Sequence, residues 1–467
     1  MPFDEASIFA AFKNKRQQVE DSVRSAIKQK LKQAFDSISN EQVKQNFLQA
    51  IPFWLASLVT GLFAVGYAQV FAFTERFAMG LLTNHAWWMF AISPLCFVVA
   101  WYLVHRFAPY ARGSGIPQIM AALELTDGKH KIKVSRFVSL RISVVKVVSS
   151  LLMIMGGAAV GREGPTIQIA GSIFVKIHQW LPHWWPRISK RNMIMTGAAA
   201  GLAAAFNTPL GGIVFAVEEL TKTHINYFKA AIFTAVIIAG LTAQTLAGSY
   251  LYFGYPRVEG YSNLILFGVT LVAMIAGIAG AGMSELIVKV VSWKRSFTKI
   301  TEHLAFLVCC SLALLLMALL VNKAVVGSGK ELITHALFTD EKYTHWYIPV
   351  LRIIGPLFSF TTGAAGGVFA PGLSAGGTIG ATLSAWLNLT PADSNVLILA
   401  GMVAFLTGIT RAPFTSAILV LEMTDRHNLI LHLMMAGLLA SFFALLVSRH
   451  SFYDQMKQFY LKEVEGE

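Results

Sequence analysis

The chain has 467 residues, 55% of them hydrophobic and only 13% charged, with a formal net charge of +13. A soluble domain carries about 25% charged residues, so a water-soluble enzyme with one large buried core is excluded. The basic excess is not that of a nucleic-acid binder either, because it sits in short segments beside apolar runs, as membrane topology requires.

Residues 1 to 48 are polar and charge-rich, with no apolar core followed by a small-residue cleavage site, so no signal peptide is expected. Val19, Val23, Ile27, Leu31, Ala34 and Ile38 recur at helical spacing while Lys and Arg fill the other faces. That pattern predicts amphipathic helices over 1–50, lying at the cytoplasmic surface. Ile51 to Phe73, Leu304 to Val321 and Leu429 to Val447 are almost free of charge, and each is near the ~20 residues that cross a bilayer. His105, Arg106 and Arg112, and then Lys129, His130, Lys131 and Lys133, flank apolar runs and predict cytoplasmic loops. Cys96, Cys309 and Cys310 fall inside apolar segments without disulfide or metal-ligand spacing, and read as packing residues; no metal is expected.

Between those basic flanks, Gly113-Ser114-Gly115-Ile116-Pro117 leads into only about ten apolar residues, too few to cross and return. The segment reads as re-entrant, and irregular backbone at membrane depth is tolerated only where protein or a water-filled cavity surrounds it. The same design then occurs twice. Gly161-Arg162-Glu163-Gly164-Pro165, Gly171 and Asn207-Thr208-Pro209 lead to Glu218-Glu219; Gly366-Gly367-Val368-Phe369-Ala370-Pro371, Gly377 and Arg411-Ala412-Pro413 lead to Glu422-Met423. Pro165 to Gly171 is the same step as Pro371 to Gly377, and Pro209 to Glu218 the same as Pro413 to Glu422. Matched, Gly/Pro-interrupted repeats point to a secondary-transporter fold with its site between the halves. The expected architecture is an all-α polytopic membrane protein of two inverted-topology repeats of broken and re-entrant helices, over 51–250 and 251–460, with a short tail over 461–467.

Helix-opening turns present unpaired N–H groups and the positive end of a helix dipole. Three of them, at Ser114, Glu163 and Phe369, would converge on one anion without a full positive charge, which suits an ion that must bind and leave again. Glycines also serve simply to pack membrane helices closely. Glu163 is an ionisable group in a membrane segment, a functional candidate by default: ionised it can itself fill an anion site, and protonated it can swing away. The competing reading pairs it with Arg162. Glu218 matches Glu422 between the repeats and suggests a shared structural job, whereas Glu219 matches apolar Met423 and is the better functional candidate. Lys146 stands alone in the apolar stretch Ile142 to Met155; it either snorkels to an interface or lends positive potential to the pathway and helps keep Glu163 ionised.

The segments 113–117, 161–165 and 366–371, in that order, resemble the three signature segments of the CLC family of chloride channels and chloride/proton exchangers, and the stretches Gly197 to Glu219 and Gly401 to Thr424 are similar to it as well. The likeness covers roughly residues 50 to 460. It implies that Ser114 offers a hydroxyl to a central chloride, that Val368 and Phe369 offer backbone N–H groups, and that Tyr453, by its spacing from Glu422, donates a phenol from the other side; Tyr460 is a weaker candidate. Gly113, Gly115, Gly164 and Gly367 would shape the turns. Glu163 would gate the path and carry protons, and Glu219 matches the internal proton-transfer glutamate of family exchangers. Gln118 stands where a glutamate is common in the family, and Met120 where some members have an acid, which bears on local salt bridges and on the detailed proton route.

The resemblance implies a chloride/proton antiporter, with a passive chloride channel gated by Glu163 as the alternative. It further implies a lipid-embedded homodimer with one path per subunit and no cofactor beyond transported chloride, in a plasma membrane, bacterial by its lack of regulatory domains, with the N-terminus cytoplasmic. Ser114 resembles chloride-selective members. An enzyme is not expected: no His-Glu-x-x-His and no nucleophile–base spacing occurs. Gly327-Ser328-Gly329-Lys330 lacks the first glycine of a phosphate loop and has Glu331 where Ser or Thr belongs, so it reads as an exposed turn and no nucleotide partner is expected.

Overall fold

The computed structural model describes residues 41–127, 131–220, 229–248, 252–262, 264–339, 342 and 344–466. Of the amphipathic helices expected over residues 1–50, residues 1–40 lie outside these, as do Lys129, His130 and the basic segment after Glu219, whereas residues 41–50 begin the first long helix. Among the described residues there are seventeen α-helices and no strands. The first half comprises α1 (Glu41–Asn84), α2 (Ala86–Phe107), α3 (Ile116–Asp127), α4 (Leu140–Met155), α5 (Glu163–Trp180), α6 (Lys190–Phe206), α7 (Pro209–Phe215) and α8 (Lys229–Ala247). The second comprises α9 (Ile265–Lys294), α10 (Ile300–Leu320), α11 (Lys330–Phe338), α12 (Tyr347–Phe360), α13 (Phe369–Trp386), α14 (Pro391–Thr410), α15 (Pro413–Thr424) and α16 (Ile430–Ala444), followed by α17 (Phe452–Glu465).

Among the described residues, eight helical segments are long and apolar enough to span a bilayer, including those predicted from the charge-free runs, and their exposed Leu, Phe and Trp side chains form the outer wall. The others are short because Gly and Pro start and stop them. α5 and α13 both open on the glycine-rich turns and both run 18 residues. α6 ends on Asn207 with φ 58°, and α14 ends on Arg411 with φ 62°, each a left-handed cap followed by a Pro that opens the next helix. The internal repeat is therefore repeated in backbone conformation, down to single residues.

Helices approach closely where glycine removes the side chain. A Cβ on Gly376 would strike the Gly401 carbonyl and one on Gly401 the Gly376 carbonyl, so α13 and α14 touch backbone to backbone. α14 is consequently the most enclosed of the candidate spans. Gly201 does the same for α6, against Ile167 and Ala170 of α5.

The shared job of Glu218 and Glu422 is now explicit. Glu218 accepts hydrogen bonds from the N–H groups of Phe414 (3.2 Å) and Thr415 (2.6 Å) at the start of α15. Glu422 accepts from Leu210 (3.1 Å) and Gly211 (2.7 Å) at the start of α7. Each half thus caps a helix of the other, satisfying N–H groups that have no partner within their own helix.

Two sequence expectations are corrected. Cys309 lies exposed on the outer face rather than packed inside, unlike Cys96 and Cys310. The 327–330 turn is not an exposed one: Val325, Val326, Gly327 and Ser328 are buried. The fully buried Arg352 holds the carbonyls of Ala324, Val326, Gly327 and Ser328, and Glu75 of α1 accepts from the N–H (2.5 Å) and hydroxyl (3.1 Å) of Ser328. A chain reader sees Gly-Ser-Gly and infers solvent; two charges distant in sequence pull it inside.

Because the caps are reciprocal, Glu218→Ala and Glu422→Ala should each destabilise the purified protein by about 1–2 kcal/mol, read as a lowered midpoint of thermal unfolding in detergent. Overpacking the α13–α14 contact by Gly376→Val should act more severely and abolish the monodisperse peak on gel filtration.

Candidate anion and proton site

The three glycine-rich turns are tied together by main-chain hydrogen bonds. Gly113 N–H donates to the Ala364 carbonyl (2.8 Å) and Gly366 N–H to the Gly113 carbonyl (3.1 Å), while Gly161 and Gly367 exchange two bonds, both of 2.8 Å. These two short bridges place the starts of α3, α5 and α13 around one point. Such closeness demands glycine. A Cβ on Gly164 would strike the Ser114 hydroxyl, one on Gly367 would lie 3.1 Å from the Gly161 carbonyl, and one on Gly115 would lie 2.7 Å from the Gly164 carbonyl. Gly113 and Gly115 additionally hold φ at 63° and 114°, which side-chain-bearing residues rarely adopt.

Around that point stand the expected anion-binding groups. Ser114, Val368 and Phe369 are buried, and Tyr453 of α17 is wholly so. The Phe369 ring stacks on the Tyr453 ring with centroids 6.3 Å apart. The Tyr453 hydroxyl faces that of Ser114. Apart from each other, these two buried hydroxyls have no hydrogen-bond partner. A pair of hydroxyls with no other partner beside three helix N-termini is what a small anion would satisfy.

Glu163 opens α5 and is 1% exposed. Its Oε1 accepts a hydrogen bond from the Tyr252 hydroxyl at 3.2 Å and lies 4.0 Å from Arg162 Nε, while Oε2 has no partner. A Cβ on Gly161 would collide with that Oε2 and sit 3.4 Å from the Ala370 backbone nitrogen, so the carboxylate lies toward the start of α13. The Arg162 pairing is therefore present only at the outer limit of an ion pair. It arises because Arg162 is the cap residue, outside the regular helix.

Glu219 is buried, while its neighbour Glu218 turns away to cap α15. The residues Ala216–Leu220 form a π-turn after α7, whereas α15 runs regularly through Glu422 and Met423. A widened turn of this kind re-aims side chains and recurs at functional sites. Here it separates the first half from its twin at the one position where the repeat carries an extra carboxylate.

Lys146 does not snorkel. It is fully buried, and its ammonium donates to Gln168 Oε1 at 2.6 Å; the Gln168 amide donates in turn to the carbonyls of Phe137 (2.8 Å) and Tyr110 (3.1 Å). Its hydrogen-bond partner is thus a residue of α5 that packs against Gly115, not Glu163. Gln118 donates to the Arg112 carbonyl (2.5 Å) and to the Tyr460 hydroxyl (3.1 Å), and Arg112 pairs with Glu463. Tyr460 belongs to this network, two turns along α17 from Tyr453.

Two cavities approach the site. One of about 330 Å³ is lined by Arg162, Glu163, Tyr252, Glu75, Arg76 and Lys330. The other, about 270 Å³, includes Arg112, Gly113, Lys294, Arg295, His303 and Tyr460. Between them Ser114 and Tyr453 are sealed from solvent. Tyr252, Lys330, Glu75 and Gln168 escaped sequence reasoning. Gln168 lies three residues after Pro165 along α5, so its position on that helix was a usable signal; Tyr252 stands in a loop without motif and carried none.

The family profile described as Voltage gated chloride channel matches residues 95–445. The H(+)/Cl(-) exchange transporter ClcA of Cronobacter sakazakii is 31% identical over 436 residues, 88% of this chain and 90% of that protein. ClcA of Citrobacter koseri is 30% identical over 401 residues, 83% of each. Among solved structures, a slow cyanobacterial Cl−/H+ antiporter superposes with a TM-score of 0.78 at 24% identity, covering 89% of this chain and 98% of that one. A CLC-type fluoride/proton antiporter gives 0.74 at 20% identity, covering 89% and 99%. Those two similarities establish the two-repeat helical fold. With the profile spanning well over half the chain and exchangers of like length aligned along most of it, this protein belongs to the voltage gated chloride channel, or CLC, family.

Proposed function

We propose that the protein is a secondary active antiporter exchanging chloride for protons across a bacterial plasma membrane. One observation carries the reading: the buried Tyr453 and Ser114 hydroxyls face each other with no other partner beside the starts of three helices, one of which opens on the buried carboxylate of Glu163. Chloride would be held by those hydroxyls and by the N–H groups of Val368 and Phe369, with helix dipoles in place of full charges. Ionised, the Glu163 carboxylate competes for that anion space; protonated, it no longer does, and the proton it has taken moves against chloride. Glu219 would exchange protons with the opposite side, independently of the chloride route through Ser114 and Tyr453. A channel needs no second buried carboxylate, so Glu219 favours exchange. The exchanger names of the bacterial relatives agree.

The end of the molecule bearing His105, Arg106, Arg112, Lys133 and Arg295 is assigned to the cytoplasm by its density of basic residues. A homodimer, with one path per subunit, is what the family resemblance implies.

In liposomes under a chloride gradient without a proton gradient, the protein should drive protons uphill. Glu163→Gln and Glu219→Gln should each abolish that movement, Glu219→Gln leaving chloride flux in place; chloride flux unaccompanied by protons in the unmodified protein would leave the passive channel instead. Tyr453→Ala removes the fully buried ring and hydroxyl beside Ser114. It should raise chloride flux several-fold while lowering the protons moved per chloride, both read in the same assay.

A further inference from the structure

The outer cavity places one further group on Glu163. Tyr252 is buried, its hydroxyl 3.2 Å from Glu163 Oε1, and its ring is fixed edge-on against Phe206 (5.3 Å between centroids) and Phe253 (4.9 Å). Phe253 is in turn anchored by its N–H to the Met423 carbonyl at 3.1 Å. Over the Tyr252 ring, 4.3 Å from its centroid, lies the ammonium of Lys330. A cation on the ring face binds the aromatic quadrupole and draws electron density from the phenol, making its O–H a stronger donor. Lys330 opens α11 directly after the 324–328 loop, whose carbonyls are staked by Arg352 and whose Ser328 is capped by Glu75. The Gly-Ser-Gly-Lys run dismissed as a turn thus has a definite placement: it delivers one lysine to one tyrosine.

We infer that Tyr252, polarised by Lys330, is a positioning residue that latches the Glu163 side chain in the anion path. The inference rests on Glu163 acting as gate and proton carrier. A phenol donor favours the carboxylate over the carboxylic acid, so the latch holds the gate shut until protonation removes the acceptor charge. Its action is separable from that of other groups facing Glu163: Arg162 at 4.0 Å, Glu75 and Tyr67 from α1, Lys330 from α11 and Tyr453 from α17. Of these, only Tyr252 makes a side-chain hydrogen bond to the carboxylate among the described residues.

The test is chloride efflux from liposomes over a pH series spanning the carboxylate range. Tyr252→Phe keeps the ring and its packing and removes only the hydroxyl. Since the lost bond stabilised ionised Glu163, protonation then occurs at higher pH, and the acid-activation midpoint should move up by about one pH unit. Lys330→Met should move it the same way by less, and Lys330→Arg should restore it, since the cation over the ring is kept. In a Glu163→Gln background, Tyr252→Phe should change nothing further. An unmoved midpoint in Tyr252→Phe, or an equal effect in the Glu163→Gln background, overturns the latch and leaves Tyr252 a packing residue. Retention of the full pH dependence by Glu163→Gln alone would instead remove Glu163 as the gate, and the latch with it.

Discussion

The bridging of three glycine-rich turns by main-chain hydrogen bonds is the constraint on which the rest depends. A membrane interior supplies no water to unsatisfied N–H groups, so three helices can begin at one buried point only if their turns satisfy each other and leave a few donors for a ligand. Gly113 with Ala364 and Gly366, and Gly161 with Gly367, do this. Any side chain at Gly164 or Gly367 would force the helix starts apart. The result is a cradle of partial positive charge. Full charges stand one step back, with Lys146 bound to Gln168 and Arg162 at the edge of reach, which fits the proposed anion site, since an ion that passes through must also be released.

The repeat accounts for much of the scaffold's economy of parts. Each half provides a left-handed residue before a proline, a short helix, and a glutamate that caps the short helix of the other half. Reciprocal capping makes the halves interdependent: neither short helix has its N-terminus satisfied alone. The symmetry fails locally, where a π-turn replaces regular helix and Glu219 replaces an apolar side chain. Two identical halves make a symmetric cradle, and coupling two different ions requires them to differ somewhere.

Beside the cavity lined by Arg162 and Lys330, a chain of aromatic rings runs from Tyr252 through Phe206 and Phe369 to Tyr453. It borders the space in which the Glu163 carboxylate sits and limits how far that side chain can move without displacing a ring. The neighbouring charges are held as rigidly, since Arg352 and Glu75 fix the loop that precedes Lys330.

The sequence by itself determined the membrane class, the spans and the doubled motif, and it named the polar residues of the proposed central site. Those follow from local properties: apolar run length, the helix-opening chemistry of Gly and Pro, and the rarity of a carboxylate in an apolar setting. It also pointed to a common role for Glu218 and Glu422, because a repeat preserves spacing. Only the tertiary structure decided which partner each charge finds. Lys146 reads alone as a snorkelling cation, but α5 brings Gln168 beneath it; Gly327–Lys330 reads as a surface turn, but Arg352 and Glu75 draw it in. Tyr252 could not be read at all, since nothing in a loop 89 residues from Glu163 encodes a hydrogen bond to it. Burial in a membrane makes every such pairing compulsory, while leaving the choice of partner to the packing of helices far apart in the chain.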